Sequence, residues 1–247
     1  KAVVDELSLL EYFAQDEQTK VIALYVEQLT NAQALIAVAK KISSGKNAKP
    51  IIILKSGATE QGSRAIASHT GSLAGTDSAY DALFAQAGMI RAKNIAQLFD
   101  YIQIFSKNEL TPVENVTIVT NAGGPGVLTT DAVINSGLQL AKLEESTTHK
   151  LSEFLPKSAN IHNPVDILGD AVGITYQKTL EVLVTDANTD ALIVLLTPQS
   201  MTEIRKTASA VVHTHYHGKK PVIASFMGQE TVQPGMKIMQ EAGVTTT

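Results

Sequence analysis

The sequence Ile51-Ile-Ile-Leu54 runs directly into Lys55-Ser-Gly-Ala-Thr-Glu-Gln-Gly-Ser-Arg-Ala-Ile-Ala-Ser-His69-Thr-Gly71-Ser-Leu-Ala-Gly75. The four apolar residues predict a buried strand, and a helical pattern begins after the second stretch, at Thr76-Asp77. The second stretch has too few large apolar groups to hold itself together by burial, and such loops inside compact domains are usually functional or disordered. Its one residue that can act as a nucleophile or base near neutral pH is His69. We therefore interpret it as a catalytic loop that carries a histidine.

The composition indicates a soluble globular protein and excludes several classes of function. Of the 247 residues, 44% are hydrophobic and 18% are charged, and no apolar run approaches the roughly 20 residues that a transmembrane helix needs. The absence of cysteine excludes disulfides, thiolate zinc sites and cysteine nucleophiles. A net charge of -4 without any basic cluster argues against a nucleic-acid surface. We expect a cytoplasmic metabolic protein that contacts neither nucleic acid nor membrane and holds no metal.

Strand-length apolar runs alternate with helical patterns along the chain. Val21-Ile-Ala-Leu-Tyr-Val26 predicts a strand, and Asn31 is placed to cap the helix that follows it. The alternation restarts at Val116-Thr-Ile-Val-Thr120, after a polar, proline-bearing connection at 108–114. Buried strands that alternate with helices predict parallel sheets covered on both faces.

This pattern predicts an α/β protein with two three-layer, flavodoxin-like domains and mainly parallel sheets. We place the domains at residues 1–109 and 110–247. Ligands gather at the carboxyl ends of the strands in such sheets. The segments that follow predicted strand ends are Glu27-Gln28, the loop from Lys55 to Gly75, Asn121-Ala-Gly-Gly-Pro-Gly126, and Thr197-Pro-Gln-Ser200.

His69 and Glu27 each allow two interpretations. His69 is either an ordinary surface histidine or a functional one, and glycines such as Gly71 permit close approach of a ligand to its ring. Glu27 is either a solvated carboxylate at a strand end, or it accepts a hydrogen bond from His69. In the second case it would fix the tautomer and stabilise positive charge on the ring. The residues alone do not choose between these interpretations.

The two strand-to-helix turns of the second half also have alternative interpretations. The amides of Asn121–Gly126 either point at an anion at a helix N-terminus or form a tight turn with Pro125 at a first helical position. For Thr197–Ser200 we favour an ordinary helix start, with Ser200 or Thr202 capping a helix from Met201 to His213. Residues 160–170 are predicted to form an irregular loop.

His213-Thr-His215-Tyr-His217 resembles a metal ligand set, but no acidic or cysteine partner lies nearby in the sequence. Histidines near the end of a helix interact favourably with its dipole, and we favour that interpretation.

Several stretches along the chain carry a family resemblance. In the first half they are Lys55-Ser-Gly57, Ser68-His-Thr-Gly-Ser-Leu-Ala-Gly75, Gln86-Ala-Gly-Met-Ile-Arg91 and Leu98-Phe-Asp100. In the second half they are Asn121-Ala-Gly-Gly-Pro-Gly-Val127, Asn163-Pro-Val-Asp166, Leu196-Thr-Pro-Gln199 and Ala224-Ser-Phe-Met-Gly228. Together they resemble the nucleoside-diphosphate-forming acyl-CoA synthetases, which include succinyl-CoA synthetase and ADP-forming acetate–CoA ligase. The resemblance spans nearly the whole chain.

The resemblance implies two succinyl-CoA-synthetase-like ligase domains, the first of them N-terminally incomplete. It implies that His69 is the phosphorylated histidine and that Glu27 orients it. It also implies that phosphate and the acyl substrate bind near Gly71, Asn121, Gly123, Gly124, Gln199 and Ser200. The implied reaction is acyl-CoA + phosphate + ADP ⇌ carboxylic acid + CoA + ATP.

The resemblance further implies that other parts of the enzyme are needed. ATP/ADP, Mg²⁺ and CoA are expected on an ATP-grasp domain and a CoA-binding Rossmann domain, in cis or as a second subunit, and not on this chain. We expect an oligomer, and we expect the fragment alone to be inactive. One alternative is a ligand-sensing region of a protein lysine acetyltransferase, and another is a binding protein for a small anion.

Overall fold

The structure, a computed structural model, describes residues 4–27, 29, 31–44, 47–64, 77–107 and 111–247. The predictions for His69 and Gly71 lie outside these residues. The chain forms two compact units, Lys1–Asn108 and Glu109–Thr247. Each is α/β with parallel strand pairs, which confirms the predicted fold class. No helix in the described part is long and apolar enough to cross a membrane.

The first unit is a three-stranded sheet in the order β1-β2-β3, with helices between the strands. A short helical stretch also lies at residues 60–64. The bounds are α1 Glu6–Gln15, β1 Ile22–Val26, α2 Ala32–Ser43, β2 Ile51–Lys55, α3 Asp77–Ala87, β3 Ile90–Ala92 and α4 Ile95–Lys107.

Strand β2 is buried along its whole length because helices cover both of its faces. Ile51 and Ile53 pack in one cluster with buried residues of α1, α2 and α3. Ile52 and Leu54 face the other way and pack with Leu98 of α4. Successive side chains of a strand alternate between faces, so an uninterrupted apolar run is needed where both faces are covered. The predicted strand at 51–54 is confirmed.

Asparagine caps set the starts of two helices in this unit. The side chain of Asn31 accepts a hydrogen bond from the Ala34 amide at 3.1 Å, as its position before α2 predicted. The side chain of Asn94 accepts one from the Gln97 amide at 2.8 Å at the start of α4. Each bond satisfies a donor that the first turn of a helix cannot pair internally.

The second unit has a larger parallel sheet in the order β5-β4-β7-β8-β9, with β6 also paired to β4. The bounds are β4 Asn115–Thr120, α5 Gly123–Asn135, β5 Gln139–Leu140, α6 Glu145–Ser152, β6 Val165–Asp166, α7 Gly173–Leu183, β7 Ala191–Leu196, α8 Ile204–His217, β8 Val222–Phe226, a 3-10 helix Gln229–Thr231, α9 Gln233–Glu241 and β9 Thr245–Thr246.

Strand β7 shows that this sheet is also covered on both faces. Leu192, Val194 and Leu196 pack in the main core with residues of α7, α8 and α9. Leu195 faces the opposite side and packs with Val133 of α5. The strand ends at Leu196, directly before Thr197, as the predicted strand end required.

One side chain completes the outer edge of β4. Strand β5 pairs with the amino-terminal part of β4, and β6 pairs with its last two residues. Between them, the Asn163 side chain donates to the carbonyls of Val116 (2.7 Å) and Ala141 (3.1 Å). It also accepts from the amide of Ile118 at 3.0 Å. The Asn163 amide therefore supplies the bonds that a continuous strand would make.

Three predictions of local structure were wrong in detail. The predicted irregular loop 160–170 contains β6, a two-residue strand too short to show a periodic pattern. Helix α8 begins at Ile204 and ends at His217, so the predicted range Met201–His213 is shifted. The predicted cap by Ser200 or Thr202 is also wrong, because Glu203 occupies the cap position. The Thr202 hydroxyl accepts from the Gln199 amide instead, at 2.8 Å, which keeps residues 197–203 out of the helix.

Candidate functional site

In the first unit, the pairing of β1 with β2 places the expected partner of His69 at the carboxyl end of the sheet. Val26 is in register with Lys55, and the Ser56 amide donates to the Val26 carbonyl at 3.0 Å. Glu27 is therefore next to the start of residues 56–76, which we call the histidine segment. The Glu27 side chain is exposed. Because His69 is outside the described residues, a contact between the two stays a prediction.

Lys55 is the unexpected feature of this edge, because it is only 4% exposed. Its ammonium donates to the Ser56 carbonyl at 2.5 Å and lies 4.7 Å from the centre of the Tyr80 ring. Burial lowers the pKa of Lys55, while the nearby carboxylates of Asp77 and Glu27 act in the opposite direction. A cation close to an aromatic face gains electrostatic stabilisation from the ring.

Arg91 organises the start of α3, the helix that follows the histidine segment. Its guanidinium bonds Asp77 at 2.5 Å and Asp81 at 2.6 Å. Arg91 lies on β3 in register with Ile53 of β2, so these ion pairs connect α3 to the sheet. Among the described residues, the charged groups near this edge include Glu27, Lys55, Asp77, Asp81 and Arg91.

In the second unit, Asn121 joins the ends of two neighbouring strands. It follows β4, is 1% exposed, and exchanges two hydrogen bonds of 2.8 Å with the backbone of Thr197, which follows β7. The Gln199 side chain donates to the Asn121 carbonyl at 3.4 Å. Both ends of the Asn121 amide are thus used inside the protein, so it shapes the edge rather than presenting a free amide there.

The start of α5 presents backbone donors at the same edge. Gly123 and Gly124 are exposed, and the amides of both lack a hydrogen-bond partner among the described residues. The Ala122 amide is already bonded to the Thr120 hydroxyl at 3.0 Å, and Pro125 has no amide hydrogen. Free amides at a helix N-terminus, together with the helix dipole, form a site suited to an anion.

Asp166 lies beside these amides. A Cβ atom added to Gly123 would be 3.5 Å from one of its oxygens, and the other oxygen accepts from the Leu168 amide at 3.0 Å. The sequence analysis assigned no role to Asp166, because strand β6, which ends at this residue, was not predicted. Recognising that strand would have placed the carboxylate at the carboxyl edge.

The side chain of Gln199 lies against Gly169. A Cβ atom at Gly169 would overlap the end of the Gln199 side chain, so any larger residue there would shift that side chain. Ser200 follows and is exposed. The structure thus brings Asn121, Gly123, Gly124, Gln199 and Ser200 to one edge of the second sheet.

The three histidines of α8 lie elsewhere, in the last turns of that helix. The rings of His213 and His217 stack with centres 4.2 Å apart, and His217 Nδ1 contacts the His213 carbonyl at 2.8 Å. Burial lowers the pKa of His215. The described residues include no group of three or more histidine or acidic side chains able to hold a metal ion.

Comparison with known proteins gives a consistent result for both units. Residues 1–105 match the family model of the succinyl-CoA ligase like flavodoxin domain, and residues 116–247 match that of the ligase-CoA domain. Acetate–CoA ligase [ADP-forming] I of Archaeoglobus fulgidus is 38% identical over 99% of this chain and 34% of its own length. Acetate–CoA ligase [ADP-forming] II subunit alpha of Pyrococcus furiosus is 39% identical over 99% of this chain and 54% of its own length.

A solved structure is similar over the same range. Acetyl-coenzyme A synthetase 1 of Candidatus Korarchaeum cryptofilum, in complex with phosphate and ADP, superposes with a TM-score of 0.92 at 32% identity. The match covers 99% of this chain and 53% of that chain. This chain therefore spans between about a third and just over half of its relatives' length.

These relatives are ADP-forming acid–CoA ligases, and they give no support to the alternative of a regulatory region of a lysine acetyltransferase. One of them is a subunit alpha by name, so that enzyme is built from more than one kind of chain. By sequence, fold and domain order, the chain belongs to the succinyl-CoA ligase-like family, with a succinyl-CoA ligase like flavodoxin domain followed by a ligase-CoA domain.

Proposed function

We propose that this chain carries out the phosphohistidine step of an ADP-forming acid–CoA ligase, with His69 as the phosphoryl carrier. The two ligase-type domains, at 1–109 and 110–247, would take part in the reaction acyl-CoA + phosphate + ADP ⇌ carboxylic acid + CoA + ATP. The substrates in this proposal are phosphate and a small carboxylic acid with its CoA ester.

The exposed amides of Gly123 and Gly124 are the observation that carries this proposal. Exposed amides at a helix N-terminus favour an anion, and the relatives of this chain are ADP-forming acid–CoA ligases by name, so we assign phosphate to these neutral donors. Phosphoryl transfer depends mainly on positioning and on electrostatic stabilisation of the moving group. Neutral donors stabilise the phosphoryl group without binding it as tightly as a fixed cation would, which allows the group to move on.

The reaction takes three balanced steps. A phosphate oxygen attacks the thioester carbonyl, the C–S bond breaks, and CoA leaves as a thiol with the proton of hydrogen phosphate. A neutral nitrogen of His69 then attacks phosphorus, the bond between phosphorus and the acyl oxygen breaks, and the carboxylate leaves. Finally a terminal phosphate oxygen of ADP attacks phosphorus, the P–N bond breaks, and His69 returns to the neutral form.

The remaining candidate residues have supporting roles in this proposal. Glu27 accepts a hydrogen bond from one nitrogen of His69, which leaves the other as the nucleophile and stabilises the charge that develops on the ring. Gly71 leaves room for the phosphoryl donor. Asn121 fixes the edge at which Gly123 and Gly124 donate, and Gln199 and Ser200 contact the acyl substrate or phosphate.

The nucleotide and CoA are assigned to other parts of the enzyme. We propose that ATP/ADP binds with Mg²⁺ on an ATP-grasp domain, and CoA on a Rossmann domain, in cis or in a second subunit. The relatives extend well beyond the part that this chain matches, which leaves room for such domains. The assembly is expected to be an oligomer.

The test is phosphorylation of the full-length protein with γ-³²P-labelled ATP and magnesium. A base-stable, acid-labile label is expected, and His69→Ala should abolish both the label and acyl-CoA synthesis. His149→Ala is the matched control, because the His149 side chain is 74% exposed beside Glu153, and it should leave both intact.

Undiminished acyl-CoA synthesis in His69→Ala would contradict the proposal. Phosphate binding without any labelling of the wild type would instead indicate a binding protein for a small anion.

A further inference from the structure

Asp166 is a carboxylate that the proposed reaction does not use. A Cβ atom on Gly123 would be 3.5 Å from Asp166 Oδ2, so this oxygen lies beside the start of α5, where the amides of Gly123 and Gly124 are open. A carboxylate repels an anion that comes close to it unless a hydrogen bond joins the two. Its presence beside the proposed phosphate position therefore needs an explanation.

The Asp166 side chain is held in place by its surroundings. Asp166 is in register with Thr120, the last residue of β4, and exchanges two backbone hydrogen bonds of 3.0 Å with Asn160. Its Oδ1 atom accepts from the Leu168 amide at 3.0 Å. Leu168 has a φ of 71°, in the left-handed region that a residue other than glycine adopts at a cost. The turn after β6 thus fixes one carboxylate oxygen and leaves the other beside the start of α5.

The second oxygen, Oδ2, has no hydrogen bond or ion pair with the described residues. A carboxylate at the start of a helix commonly accepts hydrogen bonds from the first amides of that helix. Asp166 does not, and the amides of Gly123 and Gly124 stay unpaired beside it. Two donors and one acceptor therefore lie next to each other, open to a ligand that both accepts and donates hydrogen bonds.

Hydrogen phosphate is a small anion that meets both requirements. Its unprotonated oxygens accept from amides, and its hydroxyl group donates to a carboxylate, which when ionised can only accept. Sulfate has a similar shape but carries no proton near neutral pH, and an ionised carboxylic acid lacks one as well. Either anion would leave the Asp166 oxygen unpaired against a like charge, and a site with an unpaired polar group discriminates strongly between analogues.

We propose that Asp166 determines the choice of anion at the start of α5: Oδ2 accepts a hydrogen bond from the hydroxyl group of hydrogen phosphate, which admits phosphate and rejects sulfate. This inference rests on the proposed function and names the species that enters its first step. In that step the phosphate oxygen bonds the acyl carbon, the C–S bond breaks, and the proton leaves on the CoA thiol. The acyl phosphate then has no proton to donate to Asp166, so the two negative groups repel each other and its release from the amides is favoured.

The test measures the preference for phosphate over sulfate in the full-length enzyme and in three variants, Asp166→Asn, Asp166→Ala and Asp131→Asn. The asparagine oxygen can still accept from the Leu168 amide, while its NH₂ group can donate to an anion without a proton. Asp166→Ala removes the carboxylate without adding a donor, and it carries the test if Asp166→Asn does not fold. Asp131 is exposed on α5, so Asp131→Asn is the matched control for the loss of one negative charge.

The measurements are the KM for phosphate in ATP formation from acyl-CoA and ADP, the inhibition constant of sulfate, and the dissociation constants of both anions by titration calorimetry. Asp166→Asn is expected to raise the KM for phosphate about tenfold and to lower the inhibition constant of sulfate about tenfold, which changes the preference about hundredfold. Asp166→Ala should change the preference in the same direction by a smaller factor, and Asp131→Asn should leave it as in the wild type.

An unchanged preference in Asp166→Asn would overturn the inference. An equal change in Asp131→Asn would also overturn it, because a general loss of charge would then explain both. Failure of the proposed function gives a different result, a wild type that is not labelled at His69. If that wild type still binds phosphate in preference to sulfate, and Asp166→Asn removes the preference, the inference stands without the phosphohistidine step.

Discussion

The carboxyl edges of the two sheets use different chemistry. The first unit gathers ionised side chains there, and the described ones include the cations Lys55 and Arg91, with carboxylates at the end of β1 and the start of α3. The second unit gathers mainly backbone amides and carboxamides around Asn121 and the start of α5, with the carboxylate of Asp166 beside them. Fixed charges hold segments of chain in place, whereas neutral donors suit an anion that must bind and leave. The contrast predicts that substitutions at the two edges will differ in how much stability they remove and in how strongly that loss depends on salt.

The largest effect on stability is expected at the second edge, from Asn121→Ala. The change removes both 2.8 Å bonds to Thr197 and leaves a backbone amide and carbonyl without partners near a buried position. Each unpaired group costs about 1–3 kcal/mol, so the free energy of unfolding should fall by about 3 kcal/mol. Urea denaturation measures it, and the loss should be independent of salt.

Asn188→Ala provides the control for this prediction. Asn188 also donates from its carboxamide to a backbone carbonyl, that of Lys142, but it is exposed. Water replaces the lost bond there, so a loss of about 0.5 kcal/mol is expected. Equal losses for the two asparagines would show that Asn121 does not join the strand ends as described.

A smaller effect is expected at the first edge, from Arg91→Met. The Arg91 side chain is 16% exposed, while its partners Asp77 and Asp81 are 36% and 64% exposed. Solvent therefore screens the pairs, and a loss of about 1–2 kcal/mol is expected. The loss should shrink in high salt, which is measured by urea denaturation at two ionic strengths.

Arg91→Lys separates charge from geometry at the same position. A lysine cannot bond both carboxylates as a planar guanidinium does, so it should recover only part of the lost stability. A salt-independent loss in Arg91→Met would mean that packing of the side chain, rather than its ion pairs, holds α3 to the sheet.

The smallest effect on stability is expected from Gly123→Ala and Gly124→Ala. A Cβ atom at Gly123 would have its nearest contact 3.5 Å away, and one at Gly124 would meet nothing within 4 Å. The free energy of unfolding should therefore change by less than about 1 kcal/mol. If phosphate approaches these amides, the added methyl groups should raise its KM by about fivefold, or ~1 kcal/mol.

Leu128→Ala, one turn further along α5, is the control for the glycine variants. Leu128 is 72% exposed, and its truncation should change neither stability nor the KM for phosphate. An unchanged KM in both glycine variants would move the phosphate site away from the start of α5.

The sequence predicted the longer strands and helices of each unit well and the short elements poorly. The apolar run at 51–54 predicted a strand covered on both faces, and such runs have few alternatives in an α/β pattern. Strand β6 has only two residues and leaves no pattern to detect. The start of α8 was misplaced because a hydrogen bond between Thr202 and the Gln199 backbone competes with the helix, and propensity does not reveal that competition.

Some features of the candidate site were likewise predictable from the sequence, and others were not. The apolar run that ends at Val26 correctly predicted that Glu27 follows a strand, and the register places it beside the start of the histidine segment. Its role towards His69 stays a prediction. The burial of Lys55 was not predictable, because a lysine at a strand end is usually solvated and the packing of α3 decides otherwise. The role of Asn121 in joining two strand ends depends on Thr197, 76 residues later, which only the tertiary structure reveals.

The side-chain amide of Asn163 bears on whether the edge of this sheet can pair with a strand of another chain. An open strand edge presents unpaired amides and carbonyls that can template pairing with another chain and start aggregation. On the outer side of β4, two-residue strands cover the ends, and the Asn163 side chain occupies the gap between them. The exposed row of donors and acceptors is thereby closed without a full-length strand. A single carboxamide therefore protects the sheet where its strands are shortest.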